Sequence, residues 1–161
     1  MHTNGANAGL PPPPFRPGDP IPWFGLPGNS NPDFKIHSVA GIYIVLCFFS
    51  AGSDPKRLAG LKEVLAHRAL FDDKKAMLFA VATDDAKLQP GSYRDSLPGV
   101  RFFFDRDEAV SRRFRPADGA GVTYVLDPTL RVLAAVRFDD PAGHQQRIGE
   151  KIGRASCRER V

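Results

Sequence analysis

Cysteine is the scarcest chemically useful residue in this chain, with only Cys47 and Cys157 among 161 residues. No Cys-x-x-Cys pair exists, so a thioredoxin-style dithiol and a multi-thiolate zinc site are both excluded. Long apolar runs are equally absent. The longest, Ile42 to Phe49, falls far short of the roughly 20 residues that span a bilayer. The N-terminus has neither a basic start nor an apolar h-region, so a membrane role is not expected and a cytoplasmic location is. His2, His37, His67 and His144 are scattered, and none opens a His-x-Asp or His-x-x-x-His arrangement, so no metal site is expected. There is no glycine-rich phosphate loop and no Gly-x-Ser-x-Gly elbow, and Asp84-Asp85 reads as a strand-end turn without a catalytic partner.

A concentrated basic stripe is missing too, although the formal net charge is +4. The last stretch, Ile152 to Val161, looks like a sequencing adapter translated in frame, and Lys151 reads as half adapter. Leaving out residues 151–161 removes four basic residues (Lys151, Arg154, Arg158, Arg160) and one acidic residue (Glu159), which brings the net charge from +4 to +1. Nucleic acid is therefore not an expected partner, because binding it needs many phosphate contacts from clustered Lys and Arg. Arg112, Arg113 and Arg115 form the densest cluster left, and they read as a solvated helix face and end rather than a phosphate site. The same exclusion leaves Cys47 as the lone thiol.

What the chain does contain is enough for one core: 42% hydrophobic and 25% charged residues over a length too short for two full domains. Residues 1–17 carry Pro11 to Pro14 and Pro17 with few apolar side chains, and read as a disordered leader in preference to a polyproline recognition motif. Residues 18–150 read as the domain, incomplete at its C-terminal end, and 151–161 as an artefactual tail. The segment from Gly18 should lie extended over the core through Ile21, Trp23, Phe24 and Leu26, since its prolines forbid a helix. Phe34 to His37 alternates as a short strand with His37 outward. Ile42 to Phe49 is continuous and rich in β-branched and aromatic residues, which predicts a strand buried on both faces. Asp54-Pro55 then reads as the start of a helix carrying Leu58, Leu61, Val64 and Leu65.

Met77 to Ala82 repeats the buried-strand composition, so strand, helix and strand form a parallel unit. Arg101 to Asp105 is a further strand, Glu108 to Phe114 a short helix, and Val122 to Leu126 a strand that turns through Asp127-Pro128-Thr129 into Leu130 to Phe138. Gly143 to Glu150 offers the start of a closing helix. The order predicts an α/β fold, a mixed sheet flanked by helices of the thioredoxin type.

Gly18-Asp19-Pro20-Ile21-Pro22-Trp23-Phe24, Gly41 with Leu46-Cys47-Phe48-Phe49, and Phe102-Phe103-Phe104-Asp105 with Val110 to Phe114 resemble an AhpC/TSA redoxin of the peroxiredoxin group. Tyr124 to Pro128 with Leu130 to Leu133 is similar to that family's late hairpin, so the resemblance runs from Gly18 to Phe138. It implies a nucleophilic cysteine after the first core strand, activated by a helix N-terminus and an arginine. Here that loop is Ser50-Ala51-Gly52-Ser53-Asp54-Pro55 and holds no cysteine. Ala120-Gly121-Val122 stand where the arginine should be.

Three readings follow. The leading one is a redoxin domain without thiol catalysis, an accessory or interaction module for a downstream enzyme domain or protein partner within a larger oxidoreductase. The second is a one-cysteine thiol peroxidase using Cys47, approached by Arg101 or Arg137. The third keeps the degenerate loop of Ser50, Ser53 and Asp54 as a binding pocket, in which Ser50, Ser53 and the backbone amides at the start of the first helix hold an anion or small acid against the opposing charge of Asp54. No cofactor is expected in this chain. The sequence is also similar to the N-terminal part of bacterial redoxin plus 2-oxoglutarate/iron oxygenase fusions, which implies that iron and 2-oxoglutarate would be held by a domain beyond Glu150. Oligomeric state is left open.

Overall fold

The computed structural model describes residues 9–28, 33–49, 76–82, 100–105 and 107–139. Its elements are β1 (Gly25–Leu26), β2 (Phe34–Lys35), a 3-10 turn (Ile36–Val39), β3 (Tyr43–Phe49), β4 (Ala76–Ala82), β5 (Val100–Phe104), α1 (Ala109–Phe114), β6 (Val122–Leu126) and β7 (Val132–Arg137). The helix expected from Asp54, the segment 83–98, the closing helix and the tail 151–161 lie outside the described residues.

Five strands form one sheet in the order β5-β4-β3-β6-β7. β3 pairs in parallel with β4, and β4 with β5, while β6 runs antiparallel to both β3 and β7. The long β-branched and aromatic runs explain why β3 and β4 are central: side chains on both faces are buried, including Ile44, Leu46 and Phe48 on one and Val45 and Cys47 on the other. The expected mixed sheet is present.

One face carries an aromatic cluster. Phe114 of α1 stacks on Phe48 at 4.7 Å between ring centroids and meets Phe24 and Tyr124 edge-on at 5.6 Å each. Such pairs add about 0.5–1.5 kcal/mol each beyond the area they bury. Tyr124 fixes the end of α1 by donating its hydroxyl proton to the Phe114 carbonyl at 2.5 Å.

The N-terminal segment crosses this face from edge to edge. Gly18 and Ile21 donate backbone N–H groups to the carbonyls of Val132 and Leu130 at one edge. At the other, Phe104 N–H donates to the Pro27 carbonyl. Ile21, Phe24 and Leu26 are buried as expected, but Trp23 is not: it is 66% exposed and stacks on exposed His37 at 4.6 Å. The strand expected over Phe34 to His37 is likewise shorter, because the chain turns into the 3-10 turn after Lys35.

Residues 9–17 depart from the disordered leader expected of the Pro-rich segment. Phe15 packs on Phe114 at 5.1 Å and on Tyr124 at 6.1 Å, and the Pro11 carbonyl accepts a hydrogen bond from Arg137 Nη1 at 2.7 Å. One aromatic side chain and one buried cation offset the cost of ordering a backbone that proline had already stiffened.

Candidate functional site

The sequence places the site where β3 ends, around Cys47 and the loop that follows. Ser50, Ser53 and Asp54 lie outside the described residues, so the geometry rests on Cys47 and its surroundings. Cys47 is fully buried at 0% exposure. It sits opposite Thr123 in the β3–β6 register, and its Sγ lies 3.2 Å from Thr123 Oγ1. Burial pushes the thiol up to about 12 from its ordinary 9.0, against a smaller opposing pull from the Thr123 hydroxyl. The thiolate is the nucleophile in thiol chemistry, and at neutral pH this environment suppresses it.

Register decides whether a cation could reach the sulfur. Directly paired residues on neighbouring strands share a face, and successive residues alternate. Cys47 pairs with Thr123, which pairs with Val136. Arg137 pairs instead with Val122, opposite Phe48, and Arg101 pairs with Phe79, opposite Leu46. Both arginines therefore stand on the face opposite Cys47.

Arg137 is also fully engaged. Its guanidinium donates to Asp118 Oδ2 at 2.7 Å, to Asp139 Oδ1 at 2.8 Å and to the Pro11 carbonyl at 2.7 Å. Asp139 and Asp118 hydrogen-bond it and hold its proton more firmly than usual, against the opposing effect of burial. The same hydrogen bonds hold both carboxyls below the ordinary carboxylate range.

Two of the three positions where an activating arginine was sought are closed, Gly121 and Val122. A Cβ on Gly121 would stand 2.5 Å from the Phe138 ring, and Val122 is buried at 0% exposure. A long cationic side chain at either place would have to displace the ring or break the core.

Sequence reasoning missed a second feature. Arg112 and Arg113 are exposed, as a solvated helix face should be, but the Arg115 side chain is only 8% exposed and pairs with Glu108 Oε1 at 2.5 Å. Its Nε is buried with no hydrogen-bond partner. The two residues flank the six-residue α1, Glu108 before its start and Arg115 after its end, so the short helix brings them within reach of each other. Among the described residues no group of three His, Cys, Asp or Glu side chains is placed to hold a metal ion, and no helix is long and apolar enough to cross a membrane.

No family model matches the chain, and no curated protein matches it. Solved structures do. Peroxiredoxin Q of Xanthomonas campestris is 23% identical, with a TM-score of 0.60 over 83% of this chain and 92% of that one. PrxQ of Xylella fastidiosa is 18% identical, with a TM-score of 0.63 over 86% and 96%. A protein described as the thiol:disulfide interchange protein DsbE of Chlorobium tepidum is 20% identical, with a TM-score of 0.62 over 88% and 99%. The strand order, the mixed pairing and these likenesses agree on one architecture: the chain has a thioredoxin-like fold of the peroxiredoxin type.

Proposed function

We propose that this chain is a redoxin domain that has kept the fold and lost thiol catalysis, and that it serves as an accessory or interaction module of a larger oxidoreductase. The observation that carries the reading is the state of its core thiol. Cys47 is sealed, raised to about 12, and separated by the sheet from Arg101 and Arg137. Reducing a peroxide requires the thiolate to attack an O–O bond, forming a sulfenic acid while the second oxygen leaves as water or alcohol after protonation. Among the described residues the Thr123 hydroxyl is what favours the thiolate, and burial outweighs it. The loop from Ser50 to Pro55 supplies no substitute cysteine.

The peroxiredoxin-type likenesses support the fold that this reading assumes. The partner is expected to be a downstream enzyme domain or a separate protein, recognised by the domain's surface. The test is peroxide consumption with a dithiol reductant by the full chain, its Cys47→Ser variant and its Cys157→Ser variant. The expected result is the same background rate in all three. Turnover abolished by Cys47→Ser alone would overturn the proposal and establish a one-cysteine peroxidase.

A further inference from the structure

The proline run near the N-terminus is seated on the aromatic face of the domain. Pro11, Pro13 and Phe15 are half-buried while Pro12, Pro14 and Arg16 are exposed, so one side of the segment lies against the protein. Proline fixes φ at about −65° and pushes the residue before it to extended geometry, so the run holds a polyproline-type form before it meets anything. Such a backbone offers carbonyl acceptors and no N–H donor. The first donor after the run from Pro11 to Pro14 is the N–H of Phe15.

The surface beneath matches that pattern. Arg137 Nη1 donates to the Pro11 carbonyl at 2.7 Å. The Tyr124 hydroxyl, which donates to the Phe114 carbonyl, accepts from the Phe15 N–H. The Phe15 ring lies on Phe114 at 5.1 Å and edge-on to Tyr124 at 6.1 Å. A donor thus faces the proline run, an acceptor faces its first N–H, and two rings face the side chain that ends it. Aromatic-lined grooves of this kind are a recurring receptor for proline-rich segments.

The seated segment is separable from the chain that follows. Every residue from Gly9 to Pro17 is exposed or half-buried, and none belongs to a strand. Its end is a turn closed by Asp19, whose N–H donates to the Arg16 carbonyl at 2.9 Å and whose carboxylate accepts the Arg16 N–H at 2.8 Å. From Gly18 onward the anchoring is independent of the prolines: Gly18, Asp19 and Ile21 hydrogen-bond to Val132 and Leu130, and Ile21, Phe24 and Leu26 are buried. Segments held by few buried contacts open locally without global unfolding.

We propose that the face formed by Phe114, Tyr124 and Arg137 is a recognition groove for a proline-rich peptide ending in an aromatic residue, carried by a protein partner, and that residues 11–15 are its intramolecular occupant, which the partner displaces. This gives the interaction module proposed above its surface and its partner chemistry, and it rests on that reading. The Asp19-closed turn keeps the chain's own segment beside its own groove, which disfavours exchange between two copies. It also makes that segment a competitor at an effective concentration on the order of millimolar, so the groove is kept closed to weak ligands.

The test is binding of a fluorescein-labelled peptide with the sequence of residues 9–17, followed by anisotropy, to the full chain and to its Phe15→Ala variant. Saturable binding to the variant is expected, at least about tenfold tighter than to the unmodified chain, where the intramolecular segment competes. A peptide in which alanine replaces the phenylalanine should bind the variant at least about tenfold more weakly, because the ring is the anchor. No binding to the variant, equal binding to both chains, or indifference to the peptide's phenylalanine overturns the groove. Hydrogen exchange on the unmodified chain needs no variant: the Phe15 amide should exchange at least about tenfold faster than the amides of Ile44 and Leu46, and equal protection overturns a displaceable segment. Dimerisation of the unmodified chain that Phe15→Ala abolishes would seat a second copy's segment in the groove and overturn the separate partner. None of these outcomes bears on Cys47, so the peroxide assay tests the loss of thiol catalysis by itself.

Discussion

Arg137 and Arg115 are both nearly sealed from solvent, at 2% and 8% side-chain exposure, and they differ in what meets them. Arg137 is gripped by Asp118 and Asp139 and capped by the Pro11 carbonyl. Arg115 has one carboxylate, Glu108, and a buried nitrogen with nothing opposite. The difference separates two states of a buried cation. A saturated guanidinium holds structure together, here by fastening the N-terminal segment to the end of β7. An incompletely paired one carries the cost of a buried donor without an acceptor.

The comparison can be broken most forcefully at Arg137. Replacing it with methionine strands two partly exposed carboxylates and frees Pro11, and we expect a loss of about 2–3 kcal/mol in chemical denaturation. A loss under about 0.5 kcal/mol would show that the cluster does not hold the fold. The same pair sets an acid limit. Asp118 and Asp139 have folded pKa values below their ordinary 3.8, chiefly through hydrogen bonds to Arg137. The unfolded chain then binds more protons in the acid range, so their contribution is complete above the ordinary carboxylate pKa. It is lost as pH falls through the lowered folded values. Thermal melts should therefore show an acid slope that Arg137→Met flattens.

Tyr124 bears on Arg115, because its hydroxyl holds the carbonyl of Phe114, the residue before it. Tyr124→Phe should cost about 1 kcal/mol for the lost hydrogen bond and the orphaned carbonyl, and should shift the Arg115 amide resonance. The smallest effect is expected at Arg115 itself. Arg115→Met removes an unsatisfied buried donor and leaves partly exposed Glu108 to water, so stability should stay within about 1 kcal/mol. A loss as large as that of Arg137→Met would erase the contrast.

Much of this was legible from residue type. The runs Ile42 to Phe49 and Met77 to Ala82 could only be buried strands, and the turn at Asp127-Pro128-Thr129 located the hairpin. The burial of Cys47 followed from its place inside a continuous apolar strand. What stayed hidden depended on distance in three dimensions. Arg137 was cast as a cation able to approach Cys47, yet one step of strand alternation put it on the other face. Phe15 belonged to a segment whose composition reads as linker, and its docking depends on the ring of Phe114, far along the chain. Trp23 was grouped with the apolar side chains of a segment expected to lie extended over the core, whereas that segment turns it outward onto His37.

The central claim is that Cys47 is a core residue and not a nucleophile. The most direct measurement is its rate of reaction with a thiol reagent as a function of pH, in a chain carrying Cys157→Ser so that only one thiol is present. The account predicts no reaction in the native state near neutral pH, and modification only at the rate of unfolding, consistent with a thiol raised to about 12. Fast, saturating modification near neutral pH under native conditions would contradict it.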